Sequence, residues 1–180
     1  MKEDIFLKKF RWINKGFSLL ELLIYVAILS ILVVVISNAF ISLSRGNGQS
    51  QAKSEVNNSI RFATELMRQD IKNASAVTTP ALGTPSSTLC LTRSGSTIFY
   101  DISAGVLRRT AGASCAAASP ANVTNPNMIV STPTFTRIEN TNSLFSVTDV
   151  SVKISMTFSY NSTSPSWNYS EALQTTVNLY

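Results

Sequence analysis

The hydrophobic pattern passes through three regimes along the chain. From Leu22 to Ser44 no residue is charged and few are polar, 23 positions by count. A helix of that length spans ~34 Å at ~1.5 Å per residue, enough for a bilayer core of ~30 Å. A second pattern follows after Arg45-Gly46-Asn47-Gly48. Val56, Ile60, Ala63, Met67, Ile71 and Ala74 recur at steps of three and four, with Arg61, Glu65, Arg68 and Lys72 opposite them. Residues 49–74 therefore read as an amphipathic helix with one buried stripe, supported by the i,i+4 pair Arg61–Glu65. The two glycines weaken helix by ~1 kcal/mol each relative to alanine, so a flexible or kinked joint is expected there.

Beyond Ala76 the period becomes two. Residues 79–86 read as loop. Leu89 and Leu91 mark a short strand, and 98–101 and 106–109 a hairpin turning at Ser103-Ala104-Gly105. Residues 111–127 are small, polar and broken by two prolines, hence a long loop. A strand over 128–138 is interrupted by Pro133. Val150, Val152, Ile154, Met156, Phe158 and Tyr160 alternate strictly and make the clearest strand. Residues 161–167 form a turn-rich connection, and Leu173 to Leu179 a last strand. The expected fold class is α+β, a long helix with a membrane half and an amphipathic half, packed on an antiparallel β-sheet head.

Composition narrows the chemistry. The 180 residues carry a net charge of +5, of which five bases and two acids lie in residues 1–16. The basic character is thus largely terminal and makes no basic face for nucleic acid. There is no histidine, which excludes Ser-His-Asp and Cys-His catalysis and histidine zinc sites. Two cysteines cannot build a thiolate metal cage. No phosphate loop, dinucleotide fingerprint or paired-carboxylate pattern occurs, so neither an enzyme nor a cofactor or metal is expected. Ser, Thr and Asn supply 43 of the 106 residues from Ser75 onward, a composition suited to an exported β-rich domain. In an oxidising compartment the even cysteine count favours a Cys90–Cys115 disulfide closing a loop of roughly 25 residues, ~3–4 kcal/mol in the chain-entropy picture. The alternative is two separate thiols. Tyr160, Trp167 and Tyr169 are read as core or rim packing, with a ligand platform as the alternative. The five Asn-x-Ser/Thr sequons are what so much Ser and Thr gives by chance.

The bases ahead of the apolar run place residues 1–16 in the cytoplasm and the rest outside. Three readings of the run stay open: a cleaved secretory signal with Ser37-Asn38-Ala39 as its site, a plain anchor, and a third that explains Glu21. A carboxylate inside an apolar helix costs ~2.5–3.5 kcal/mol at mid-membrane, less near the interface. A plain anchor gains nothing from it.

The stretch KGFSLLELLIYVAILSIL, from Lys15, resembles the type III signal of type IV prepilins and type II secretion pseudopilins. The resemblance is tight over residues 15–36. It implies cleavage by a membrane aspartyl peptidase between Gly16 and Phe17, N-methylation of Phe17, and Glu21 as the carboxylate that meets a neighbouring subunit's N-terminus. It divides the chain into a cytoplasmic leader (1–16), a membrane and filament-core helix (17–44), an amphipathic half (45–76) and a β-rich head (77–180). Implied partners are other pilin or pseudopilin subunits, the prepilin peptidase, the inner-membrane assembly platform and, before assembly, the lipid bilayer. The helix-bending proline of many major pilins is absent, with Asn38 near its place. The order of elements resembles minor pilins and J-type pseudopilins. The implied function is a structural filament subunit, of the minor class. A major shaft subunit and a non-polymerising anchored binding protein are the alternatives.

Overall fold

The computed structural model describes residues 18–116 and 118–179. One α-helix, α1 (Leu19–Lys72), opens this part of the chain. The Ser18 carbonyl starts it, accepting from the Glu21 and Leu22 amides at 3.0 and 3.1 Å. By its internal contacts the chain divides into two compact units between Leu43 and Ser44. The first, as described, is helix alone. The second holds the rest of α1 and all of the strands.

At residues 45–48, where a flexible or kinked joint is expected, α1 is helical through both glycines. Starting a helix is the costly step and extending one is not. Two glycine penalties are therefore smaller than the cost of stopping and starting again. Gly48 is also buried, and Arg45, Gly46 and Gln49 share a recess with Ser164 and Pro165.

Along the second part of α1, Gly48, Ala52, Val56, Ala63, Met67, Asp70 and Ile71 are buried. The predicted stripe is thus the buried one. The helix ends at Lys72, two residues before the expected end. Asn73 still bonds back to Gln69, and Ser75 then gives its amide and its hydroxyl to the Thr92 carbonyl, at 2.7 and 3.0 Å. That hands the chain directly to a sheet.

Nine strands follow: β1 (Ala76–Thr79), β2 (Pro85–Ser86), β3 (Leu89–Arg93), β4 (Ser96–Ser103), β5 (Val106–Gly112), β6 (Ala121–Asn122), β7 (Met128–Asn142), β8 (Val147–Tyr160) and β9 (Ser170–Asn178). They form two sheets rather than one, in the orders β1-β3-β4-β5-β6 and β2-β7-β8-β9, with every strand pair antiparallel. The sheets meet where the β4–β5 turn reaches β7. Ala104 and Gly105 both have positive φ, 51° and 78°, as a two-residue hairpin turn of matching twist demands. The Gly105 carbonyl accepts from the Val130 amide at 2.7 Å. A Cβ at Gly105 would lie 3.2 Å from the Ile129 side chain, so glycine serves both the turn and the contact.

The strictly alternating strand is observed, with Val152, Ile154, Met156 and Phe158 buried against Met67, Ile71, Tyr100 and Phe135 in one core. Its limits differ from the expectation. β7 extends to Asn142 and β8 begins at Val147, so the two pair as a ribbon whose residues 140–149 are all exposed. Exposed strands need no apolar alternation, and Thr141 and Thr148 face each other with hydroxyls 3.2 Å apart. Pro133 interrupts the ladder as expected, as a register shift between Ser131 and Thr134. Two short strands, β2 and β6, lie in stretches read as loop.

Fully buried Phe158 and Phe145 at the ribbon tip, 75% exposed, form a controlled pair. Phe158→Ala is expected to lower unfolding stability by ~3–5 kcal/mol through the cavity it leaves. Phe145→Ala should change it by no more than ~0.5 kcal/mol. Urea unfolding of the full chain in neutral micelles checks both.

Candidate functional site

Every side chain from Leu19 to Leu43 is exposed within the single chain. These residues include Leu19, 82% exposed, and Phe40, 73% exposed, in a helix long and apolar enough to cross a membrane. Removing each such side chain from water is worth ~1.5–3 kcal/mol, so the segment calls for lipid or other apolar helices. Its few polar side chains are adapted to that. Ser30 and Ser37 donate to the Ala27 and Val33 carbonyls of the same helix, both at 2.8 Å. Hydroxyls satisfied in this way can enter a hydrocarbon environment.

Glu21 lies in the first turn of α1 and is exposed. Gly16 and Phe17, the expected cleavage and methylation residues, lie outside the described residues. The structure therefore positions one of the three signal residues.

Cys90 and Cys115 form a disulfide, with their Cα atoms 5.7 Å apart. Cys90 is buried in β3 and Cys115 is exposed beyond β5, so the bond ties the long loop to the sheet. The aromatic group is rim packing. Tyr160 and Trp167 lie 5.7 Å apart, the Lys53 ammonium sits 5.9 Å from the Tyr169 ring, and the Tyr169 hydroxyl donates to Glu171 at 2.8 Å.

A charged cluster that the sequence reading passed over joins the end of α1 to the first sheet. Asp70 is buried on the apolar stripe, three residues after Met67 and four before Ala74. Its Oδ2 accepts from the Tyr100 hydroxyl at 2.5 Å and from Arg109 Nε at 2.6 Å, while Oδ1 accepts from Arg109 Nη2 at 3.0 Å. Tyr100 and Arg109 are cross-strand partners in β4 and β5. The sequence pattern marks Arg108 and Arg109 only as the last residues of a hairpin strand. In fact Arg108 pairs with Asp101 across the same two strands, and Arg109 reaches the helix. An acid at a stripe position was the available signal. Burial, then the hydrogen bond to Asp70, pushes the Tyr100 phenol far above its usual range. Hydrogen bonding to Asp70 likewise raises Arg109. Both therefore stay protonated at neutral pH, and the cluster is a structural clamp. Among the described residues no group of Cys, Asp and Glu is placed to hold a metal.

Residues 13–37 match the family described as the prokaryotic N-terminal methylation motif. The match supports a prepilin-type signal, of the kind borne by type IV pilins and pseudopilins, and covers the amino-terminal segment alone. No curated protein matches the chain, and no solved structure does.

The clamp yields a pH test. The unfolded chain's phenol loses its proton above about pH 10, whereas folded Tyr100 keeps it. The unfolded state then binds fewer protons, so this contribution is complete below about pH 10 and falls above it, by up to ~1.4 kcal/mol per pH unit. Tyr100→Phe should lower stability near neutrality by ~1.5–3 kcal/mol, the worth of a hydrogen bond to a charged group. It should also flatten the alkaline decline. Urea midpoints of both proteins between pH 7 and about pH 11 check the difference.

Proposed function

We propose that the protein is a structural subunit of a type IV pilus-like or type II secretion pseudopilus filament, of the minor class, and not an enzyme. The observation that carries this reading is a coincidence of place. The methylation motif at 13–37 overlaps the part of α1, residues 19–43, whose side chains are all exposed among the described residues. The motif together with the apolar helix supports membrane anchoring.

In this reading the prepilin peptidase removes residues 1–16, cutting after Gly16, and methylates the new amino group on Phe17. Residues 17–44 cross the inner membrane with the N-terminus in the cytoplasm. The assembly platform then transfers them into the core of a cell-surface filament. Residues 45–76 carry the helix out of that core, and 77–180 form the displayed head, periplasmic or extracellular. Glu21 is the assembly carboxylate. In the low dielectric of packed helices an unmatched charge costs several kcal/mol, so Glu21 and a neighbour's Phe17 ammonium stabilise the assembled state against mismatched registers. The missing helix-bending proline and the irregular Ser/Thr-rich head favour a minor subunit. A non-polymerising anchor would have no use for Glu21.

Glu21→Leu removes the carboxylate and makes the helix more apolar. Membrane insertion and leader removal should be retained while recovery in sheared filaments falls at least about tenfold, equivalent to ~1.4 kcal/mol. Immunoblots of membrane and filament fractions read both. Normal recovery of the Glu21→Leu protein would reduce Glu21 to an interfacial acid.

A further inference from the structure

Of the sheet edges, one stands apart. β1 is four residues with a register shift between Val77 and Thr79, and β2 and β6 are two residues each. β7 carries Pro133 and its shift, and is covered by the Gly105 carbonyl at Val130 and by Leu82 and Gly83 at Arg137. β9 is nine residues long and pairs with β8 from Ser170 to Asn178 without a shift. Among the described residues no strand pairs with its other side. It holds no proline and no lysine, and its one charge, Glu171, accepts from the Tyr169 hydroxyl. Proteins ordinarily blunt a long straight edge with such features, because unpaired backbone groups recruit other strands.

The direction of those groups follows from the ladder. The Tyr169 carbonyl and the Leu179 amide both bond to β8. By alternation the odd-numbered residues between them do the same, and Ser170, Ala172, Gln174, Thr176 and Asn178 turn their N–H and C=O outward. Those five residues are also the exposed ones in β9. Charge is uneven along the edge. A recess of about 560 Å³ beside residues 175–179 is lined by Arg68 and Lys72 of α1. Lys153, exposed on β8, is the cross-strand partner of Thr176. The nearby acid, Glu65, pairs with Arg68 at the surface, where such pairs are weak and readily exchanged.

We propose that β9 is a strand-addition site for an extended segment of another protein, bearing a carboxylate at the end that lies beside Thr176–Asn178. Backbone pairing to the five outward residues supplies the affinity, and Arg68, Lys72 and Lys153 select the acid. A second copy is the less suitable occupant. The β9 of a second copy offers one carboxylate, Glu171, and that already accepts from its own Tyr169 hydroxyl. The inference does not depend on cleavage after Gly16.

The test uses the full chain in neutral detergent micelles. The probes are two labelled peptides of alternating threonine and valine, as long as β9, one with aspartate at both ends and one with lysine. By fluorescence anisotropy the aspartate peptide should bind at least about tenfold more tightly, equivalent to ~1.4 kcal/mol. Its binding should slow hydrogen exchange at Ala172, Gln174 and Thr176. Thr176→Pro deletes an outward N–H without touching the β8 ladder and should weaken binding at least about tenfold, whereas Thr176→Val should not. Arg68→Glu leaves the backbone intact and should remove or reverse the charge preference, so the claim remains testable even if the proline variant fails to fold. Failure of the aspartate peptide to bind, equal binding of both peptides, or binding indifferent to Thr176→Pro in a folded protein would overturn the proposal. So would self-association of the chain that Thr176→Pro abolishes.

Discussion

The first compact unit presents an apolar surface that none of the described residues covers. From Leu19 to Leu43 every side chain faces outward, and the strands belong to a separate compact unit. No internal rearrangement of a few loops could bury so much. The segment is stable only where lipid or other apolar helices surround it, and two of its serines, Ser30 and Ser37, already donate to the helix backbone. Glu21, in the first turn of such a helix, is an exposed carboxylate at the start of that apolar surface.

The second part of α1 obeys the opposite rule. Its apolar residues narrow to one stripe, and that stripe is closed off by the strands that follow. The change from an all-round apolar helix to an amphipathic one takes place in a single element. The stripe is fixed at its far end by Asp70, held by Tyr100 and Arg109 from neighbouring strands. A buried acid with three donated hydrogens is costly to leave unmatched, so it sets the register of helix against sheet more sharply than interchangeable methyl groups could. The Cys90–Cys115 bond adds a covalent tie on the same sheet.

What was legible in the sequence was periodic. The apolar run, the stripe from Val56 to Ala74 and the alternation from Val152 to Phe158 each state which face is buried, and the fold follows them. Three features escaped. The helix runs through Gly46 and Gly48 because extension is cheaper than restarting, a cooperative effect that residue preferences understate. The ribbon over residues 140–149 is exposed on both faces, so it carries no alternation to read. The Asp70 cluster joins residues 30 and 39 positions apart in sequence, and nothing local announces which bases or phenols will reach a buried acid. The signal residues show the reverse. Gly16, Phe17 and Glu21 were legible as parts of a linear motif, and the family match at residues 13–37 spans all three.

Intact-mass spectrometry of the protein extracted from membranes of a host with a prepilin peptidase tests the central claim most directly. The account predicts a chain of residues 17–180 whose N-terminal Phe17 bears one added methyl group. A chain beginning at Met1, or one beginning at Phe40 after an ordinary signal cleavage, would contradict it.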